Sequence, residues 1–286
     1  MGGNAVIGVG TIHVSEIPPT LRKIEQDLGL NSNDLDNRLL GSAGKREYSG
    51  DIDLVFAPLP KNDMKLFSDK LRTVYGQQNV RKNGNMYNVG IPIIEYNVNY
   101  TERLPRTGTV QVDFIFAEEE FTKLLNFSPG PESKYKGVHR NLALSAISAW
   151  TDRKDSEELD DQGRSVEKIR WKWSSLGFFK IRRYSHKDKH GNWFKTQVDE
   201  AIGTPKYDPL LIAEIMFGDG ARVEDLESLE SVISACKRFF DEDKQEKVFS
   251  TLAQNLSDYN VRSPKVNLES YGVPSEIAPF ITKCDK

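Results

Sequence analysis

Cysteine is scarce in this chain. Cys236 and Cys284 are the two in 286 residues, too few and too far apart for a disulfide framework or a zinc ribbon, and such usage suits a reducing compartment. The four histidines build no imidazole metal site by spacing. His13 has no second ligand near it, and His186 with His190 lack the cysteine or carboxylate cluster that completes zinc coordination. No apolar run approaches the roughly 20 residues needed to cross a bilayer, so no membrane partner is expected. The opening Met1-Gly2-Gly3-Asn4-Ala5-Val6 has neither the charged start, the long apolar stretch nor the cleavage site of a secretory signal. Gly2 invites a myristoylation reading, but Val6 stands where Ser or Thr is needed. A cytoplasmic location is therefore expected. Internal repeats, low-complexity tracts and a strong charge imbalance are also missing. The 39 basic and 42 acidic residues leave a formal net charge of −3, which does not exclude nucleic acid, because basic residues can be local. With 38% hydrophobic and 28% charged residues, the composition is that of an ordinary globular chain, long enough for one large or two modest domains.

What is present is an arrangement of acids. Residues 51–56, Asp-Ile-Asp-Leu-Val-Phe, alternate so that a strand puts Asp51, Asp53 and Val55 on one face and Ile52, Leu54 and Phe56 on the other. A second strand, Val110 to Phe116, buries Val110, Val112, Phe114 and Phe116 and leaves Gln111, Asp113 and Ile115 on the opposite face. If the two strands pair, three carboxylates converge. Anions that close raise one another's pKa, so a stable arrangement needs a cation, and hard oxygen ligands select Mg²⁺ or Mn²⁺. Just before the first strand, Gly41-Ser42-Ala43-Gly44 allows a backbone turn to approach an anion, while Lys45 and Arg46 are suited to neutralising phosphate.

Gly41-Ser42, then Asp51-Ile52-Asp53, then a hydrophobic-Asp-hydrophobic strand at Asp113 resemble the signature of the DNA polymerase β-like nucleotidyltransferase superfamily. The resemblance covers about residues 36–116, and the chain's size and compact style are also similar to nucleotidyltransferase-like proteins of bacteriophages. It implies that Asp51, Asp53 and Asp113 bind two divalent metals, with Asp113 nearest the attacking hydroxyl, and that Ser42 helps hold the triphosphate. The implied reaction moves a nucleoside monophosphate from a nucleoside triphosphate to an acceptor hydroxyl and releases pyrophosphate. Members of the superfamily use nucleic-acid ends, antibiotics, protein side chains or second nucleotides as acceptors. Neither a helix-hairpin-helix clamp nor an extended RNA-binding module is evident here, which argues against a templated repair polymerase. Two rival readings stand beside this one: a non-catalytic nucleotide-binding or structural module that keeps the fold, and unrelated surface acids on strands. Retention of all three acids argues against the first.

The chain in order predicts an α+β fold, a sheet with helices on one face, which the resemblance implies is a nucleotidyltransferase-type mixed sheet with flanking helices over residues 1–150. A mainly helical acceptor-binding part with a basic β-hairpin follows over 151–286. Residues 5–14 read as a short extended segment. Ser15 is expected to cap a helix with Pro18 and Pro19 in its first turn and Ile17, Leu21, Ile24 and Leu28 inward, ended by Gly29. A short strand at Arg38–Leu40, a helix over 62–75, one or two strands over 86–100 broken at Pro92, and a turn over 103–108 precede the Asp113 strand. Short and longer helices follow at 121–127 and 134–150. On the longer one Tyr135, Val138, Leu142 and Ala149 form an apolar stripe, while Lys136, His139 and Arg140 share another face. His139 and Arg140 are candidates to grip nucleotide phosphates, against the alternative of a solvated face.

Residues 152–161 are acidic and read as an exposed loop and boundary. From Arg164 to Lys195 the balance inverts, and bases are interleaved with Trp171, Trp173, Phe178, Phe179, Tyr184, Trp193 and Phe194. Such a pattern follows a phosphate backbone and stacks bases, which makes Lys180, Arg182, Arg183 and Trp193 candidates for binding a nucleic-acid acceptor, RNA ahead of DNA. It equally fits, and is compatible with, a half-buried hairpin with strands 180–185 and 193–197, a turn over 186–192, packed aromatics and solvated bases. Helices are expected at 209–217, 223–240 with Cys236 in the core, and 244–256, before a loop-like tail.

Overall fold

Two stretches of the chain each gather their own core. The structure, a computed structural model, describes residues 5–95, 105–129, 133–155, 165–185, 198–262 and 271–284, and it divides into the units Met1–Glu132 and Ser133–Lys286. The division falls before the helix of residues 137–150 rather than after it, because that helix packs against strands and helices of the second unit. Among the described residues no helix is long and apolar enough to cross a membrane.

The first unit is built on a five-stranded mixed sheet. In chain order its elements are β1 (Ile12–His13), α1 (Ile17–Leu28), β2 (Leu39–Leu40), β3 (Tyr48–Ser49), β4 (Asp51–Phe56), α2 (Lys61–Tyr75), β5 (Val80–Asn83), β6 (Met86–Ile94), β7 (Pro105–Phe116) and α3 (Glu119–Leu125). The sheet runs β2-β4-β7-β6-β5, and β1 pairs with β3 separately. Only β4 and β7 are parallel; the other pairs are antiparallel. Helix α1 buries Ile17, Leu21, Ile24 and Leu28, the 3.6-residue stripe expected of it, and stops at Gly29 with φ 60°. Ser15 does not cap it. Residues 14–16 form a short 3₁₀ turn instead, and the Ser15 amide donates to His13 Nδ1 at 3.2 Å. Helix α2 lays Phe67 against Tyr87, Phe114 and Phe116, so one face of the sheet is covered by aromatic and aliphatic packing.

Two expectations for the sheet are corrected. Strand β6 runs through Pro92 unbroken, because β5 pairs only with residues 86–89 and Pro92 therefore has β7 alone as a neighbour; a missing N–H costs least there. The register slips between Pro92 and Ile94. Residues 105–108 are the start of β7 rather than a turn, while 96–104 lie outside the described residues. Strand β5, joined to β6 through Gly84-Asn85, adds an edge that the sequence reading lacked.

The second unit holds α4 (Gly137–Trp150), β8 (Lys154–Asp155), β9 (Ser165–Ser174), β10 (Gly177–Ser185), β11 (Val198–Lys206), α5 (Pro209–Phe217), α6 (Leu229–Phe239), α7 (Glu242–Arg262) and α8 (Ala278–Cys284). Its strands form a four-stranded antiparallel sheet in the order β11-β10-β9-β8, so a sheet stands where a lone basic hairpin was expected. Strand β10 turns tightly onto β9 and takes β11 as its other neighbour; the expected partner strand at 193–197 and its turn lie outside the described residues. The 223–240 helix is split, because Ser228 accepts from the Ser231 amide and opens α6 afresh. Helix α7 reaches Arg262, and α8 adds a helix to the tail. On α4 the buried face is His139, Arg140, Ala143, Leu144, Ala146, Ile147, Ser148 and Ala149, not the stripe through Val138 and Leu142.

Candidate metal centre

Register decides how the three acids meet. In the parallel β4–β7 pair Asp51 lies opposite Gln111 and Asp53 opposite Asp113. Paired residues on adjacent strands project from one face, and so do residues two apart. Asp51, Asp53 and Asp113 therefore share a face while Ile52, Leu54, Val112 and Phe114 fill the core on the other. One carboxylate oxygen from each lies within 4.8 Å of those of the other two. Ligands opposite one another around an ion bound at about 2.1 Å are about 4.2 Å apart, so carboxylates within 4.8 Å of one another need close in by only a few tenths of an ångström to share one ion.

The electrostatics of the cluster point the same way. Burial, then the charges of Asp51 and Asp113, push the Asp53 carboxyl from 3.8 up to about 8. Burial raises Asp113 to about 6 against the lowering effect of hydrogen bonds from Asn88 and Gln111, and Asp51 adds to the rise. Without a cation the cluster sheds charge by holding a proton on Asp53 at neutral pH. Three hard oxygen donors whose repulsion a divalent ion would relieve fit Mg²⁺ or Mn²⁺.

The preceding turn is pressed against the acids. Gly41 has φ +68°, and a β-carbon there would stand 2.6 Å from Asp53 Oδ2, so any other residue is strained in its backbone and must displace that carboxylate. Ser42 follows, half-buried, its carbonyl accepting from the Lys45 amide at 3.0 Å and its hydroxyl 3.5 Å from that of Ser49. The Lys45 ammonium donates to the Ser128 carbonyl at 3.2 Å and lies 4.5 Å from the Phe127 ring centroid. Arg46 is half-buried, with Nη2 out of solvent and without a hydrogen-bond partner. The turn thus carries its cations beside the acids in sequence, with Lys45 engaged by the protein's own backbone.

His139 and Arg140 are not a solvated face. Both are fully buried in the second unit. His139 Nδ1 accepts the Lys136 amide at 3.2 Å, and its ring meets Tyr135 and Tyr271 edge-on. Arg140 donates to the Leu226 carbonyl at 3.3 Å and to Asn141 Oδ1 at 2.7 Å, and burial lowers its pKa to about 9, with Glu227 opposing. These are contacts of the interior.

On β9 and β10 the aromatics pack and the bases pair. Trp171, Trp173, Phe178, Phe179 and Tyr184 are buried, and Trp171 stacks on Phe178 at 4.6 Å. Arg183 binds Asp199 through Nε at 2.7 Å and Nη2 at 3.2 Å, with Lys172 on the same carboxylate at 3.0 Å. Lys180 lies 3.5 Å from Asp152, and Arg182 donates to the Tyr184 hydroxyl at 3.1 Å. The buried aromatics follow the packed reading, with which bases meeting phosphate on the strand surface are compatible; Trp193 lies outside the described residues.

Two residues that the motif did not include join the acids. Asn88, opposite Asp113 on β6, and Gln111 donate to the same Asp113 oxygen, Oδ1, at 2.7 and 2.8 Å. Both are 2% exposed. A signal was present: Gln111 shares the Asp113 face by alternation, and Asn88 interrupts an otherwise apolar run at a position whose side chain points to that face. Comparison of the sequence with protein-family models and with curated proteins finds no match in either.

Proposed function

We propose that the first unit is a metal-dependent nucleotidyltransferase of the polymerase β-like type, moving a nucleoside monophosphate from a nucleoside triphosphate to an acceptor hydroxyl. One observation carries this reading: the parallel register that sets Asp53 beside Asp113, with Asp51 two residues along the same face, draws three carboxylates within 4.8 Å beneath a glycine turn. Mg²⁺ or Mn²⁺ held by these three would neutralise the triphosphate and acidify the acceptor hydroxyl.

The chain's own residues supply positioning and proton transfer. Asp113 takes the proton of the acceptor hydroxyl as that oxygen bonds to the α-phosphorus; the bond from the α-phosphorus to the bridging oxygen breaks in line, and pyrophosphate leaves with the electron pair. Gly41 and Ser42 bring backbone and hydroxyl donors to the phosphates, and Arg46 brings a cation. The second unit would select the acceptor, a nucleic-acid end, tRNA or other RNA ahead of DNA by a thin margin, with Lys180, Arg182 and Arg183 on β10 exchanging Asp152, Tyr184 and Asp199 for its phosphates.

The test is incubation with each of four labelled ribonucleotides, Mg²⁺ or Mn²⁺ and total RNA, beside the Asp51→Ala/Asp53→Ala double variant. Label incorporated by the wild type and lost in the variant is the expected result, and the labelled species names the acceptor. No incorporation, with nucleotide stabilising both proteins equally, would leave a binding module in place of an enzyme.

A further inference from the structure

Gln111 is held from two sides. Its Nε2 donates to Asp113 Oδ1 at 2.8 Å, while its Oε1 accepts from the backbone amides of Ala5 at 2.9 Å and Val6 at 3.2 Å. A flipped side-chain amide would turn its NH₂ toward two N–H donors and its oxygen toward a carboxylate, so the Ala5–Val6 amides leave Gln111 one orientation. Asn88 is not determined in this way. It donates to the same Asp113 oxygen, but its own Oδ1 is buried without a hydrogen-bond partner.

The segment that fixes Gln111 is itself anchored on β7. The Gly10 amide donates to the Thr109 carbonyl at 2.7 Å, Thr109 Oγ1 donates to the Gly8 carbonyl at 3.1 Å, and Gly10 bridges Val110 in parallel sense. Val6 is buried, and its seat is Gly90, the register partner of Gln111 on β6, where a β-carbon would come within 3.1 Å of Val6 Cγ1. Glycine at 90 is thus a matter of room. Both side-chain amides fall on Oδ1 of Asp113, so Oδ2 receives neither, and the carboxylate is prevented from rotating freely about its last bond.

We propose that Gln111 is a positioning residue through which the segment Ala5–Gly10 sets the orientation of the Asp113 carboxylate; the inference rests on the metal-dependent reading of the three aspartates. The segment contributes backbone amides alone and lies beyond the carboxylates themselves. Its effect travels through one side chain to one oxygen.

The test measures Mn²⁺ binding by electron paramagnetic resonance without nucleotide, and kcat and KM in the transferase assay, for the wild type, Gln111→Met, Ala5→Pro and Asp113→Ala. Gln111→Met keeps the side-chain length and removes donor and acceptor, and is expected to weaken Mn²⁺ about tenfold. Ala5→Pro deletes one of the two backbone donors at an exposed position and is expected to weaken Mn²⁺ about threefold. Both should lower kcat with the nucleotide KM unchanged, while melting temperatures report whether the fold is kept; where Gln111→Met unfolds, Ala5→Pro decides. Mn²⁺ affinity and kcat unchanged in these variants while Asp113→Ala loses the ion would overturn the proposal and leave the metal reading standing. An Asp113→Ala protein that binds Mn²⁺ like the wild type would overturn the metal reading itself.

Discussion

Gly41 passes Asp53 so closely that a β-carbon at position 41 would stand 2.6 Å from Oδ2, with the glycine backbone at φ +68°. Gly41→Ala therefore meets two penalties, a left-handed conformation and a clash with a carboxylate of the candidate metal centre. The expected loss of stability is about 1–3 kcal/mol, seen as a lower urea midpoint at unchanged slope, together with weaker Mn²⁺ binding because Asp53 must move. An alanine variant as stable as the wild type and with the same Mn²⁺ affinity would show that the turn has room to spare.

The raised carboxyls give the metal-free protein a pH dependence of definite sign. Asp53 rises from 3.8 to about 8 and Asp113 from 3.8 to about 6 on folding, so between those values the folded chain holds protons that the unfolded chain has released. Stability then falls as pH rises. It is greatest near pH 4 and is lost progressively up to about pH 8. A melting series in EDTA should decline from pH 5 to 8.5, and Mg²⁺ should flatten it by replacing the protons. Asp53→Asn should flatten the EDTA series on its own.

Arg140 is an interior residue, and its removal should act on stability. Arg140→Ala strips hydrogen bonds from the Leu226 carbonyl and Asn141 and empties a large buried volume; a loss of about 3 kcal/mol is expected. Nucleotide KM should stay at the wild-type value at temperatures where the variant is folded. A raised KM with unchanged melting would restore Arg140 to the nucleotide site.

Asp199 holds Arg183 and Lys172. If β10 meets a phosphate backbone, that carboxylate competes with it. Asp199→Asn should then bind RNA more tightly, with a steeper dependence on salt, as read by filter binding at several salt concentrations. Affinity unmoved by the substitution would detach this strand from nucleic acid.

The part of the site that local alternation controls was legible in the sequence. Period two along residues 51–56 and 110–116 placed Asp51 with Asp53 on one face of the first strand and Asp113 on the polar face of the second, so that pairing alone would bring the three together, and glycine at 41 announced a close backbone approach. Parallel pairing was not legible, since alternation says nothing of strand direction. Nor was the burial of His139 and Arg140. Helical spacing put them on one face with Lys136, but which face of α4 turns inward depends on α6, α7 and β9, all distant in sequence. The aromatic-basic run was legible as a pattern and ambiguous in use, because a Trp that packs and a Trp that stacks a base are the same letter; the pairing of Arg183 with Asp199 was a matter of register alone.

The parallel pairing of β4 with β7 has a consequence for how the protein is made. Two parallel neighbours cannot be joined by a tight turn, so the connection between Phe56 and Pro105, which carries α2, β5 and β6, has to be brought round as one crossover for Asp113 to reach Asp53. Closing this loop costs more entropy than closing the β5–β6 hairpin, so the β4–β7 contact is expected to form after that hairpin. An ion drawn to the three acids would bind only chains that have completed the crossover, and its uptake, followed in time after dilution from denaturant, would report when β4 and β7 pair.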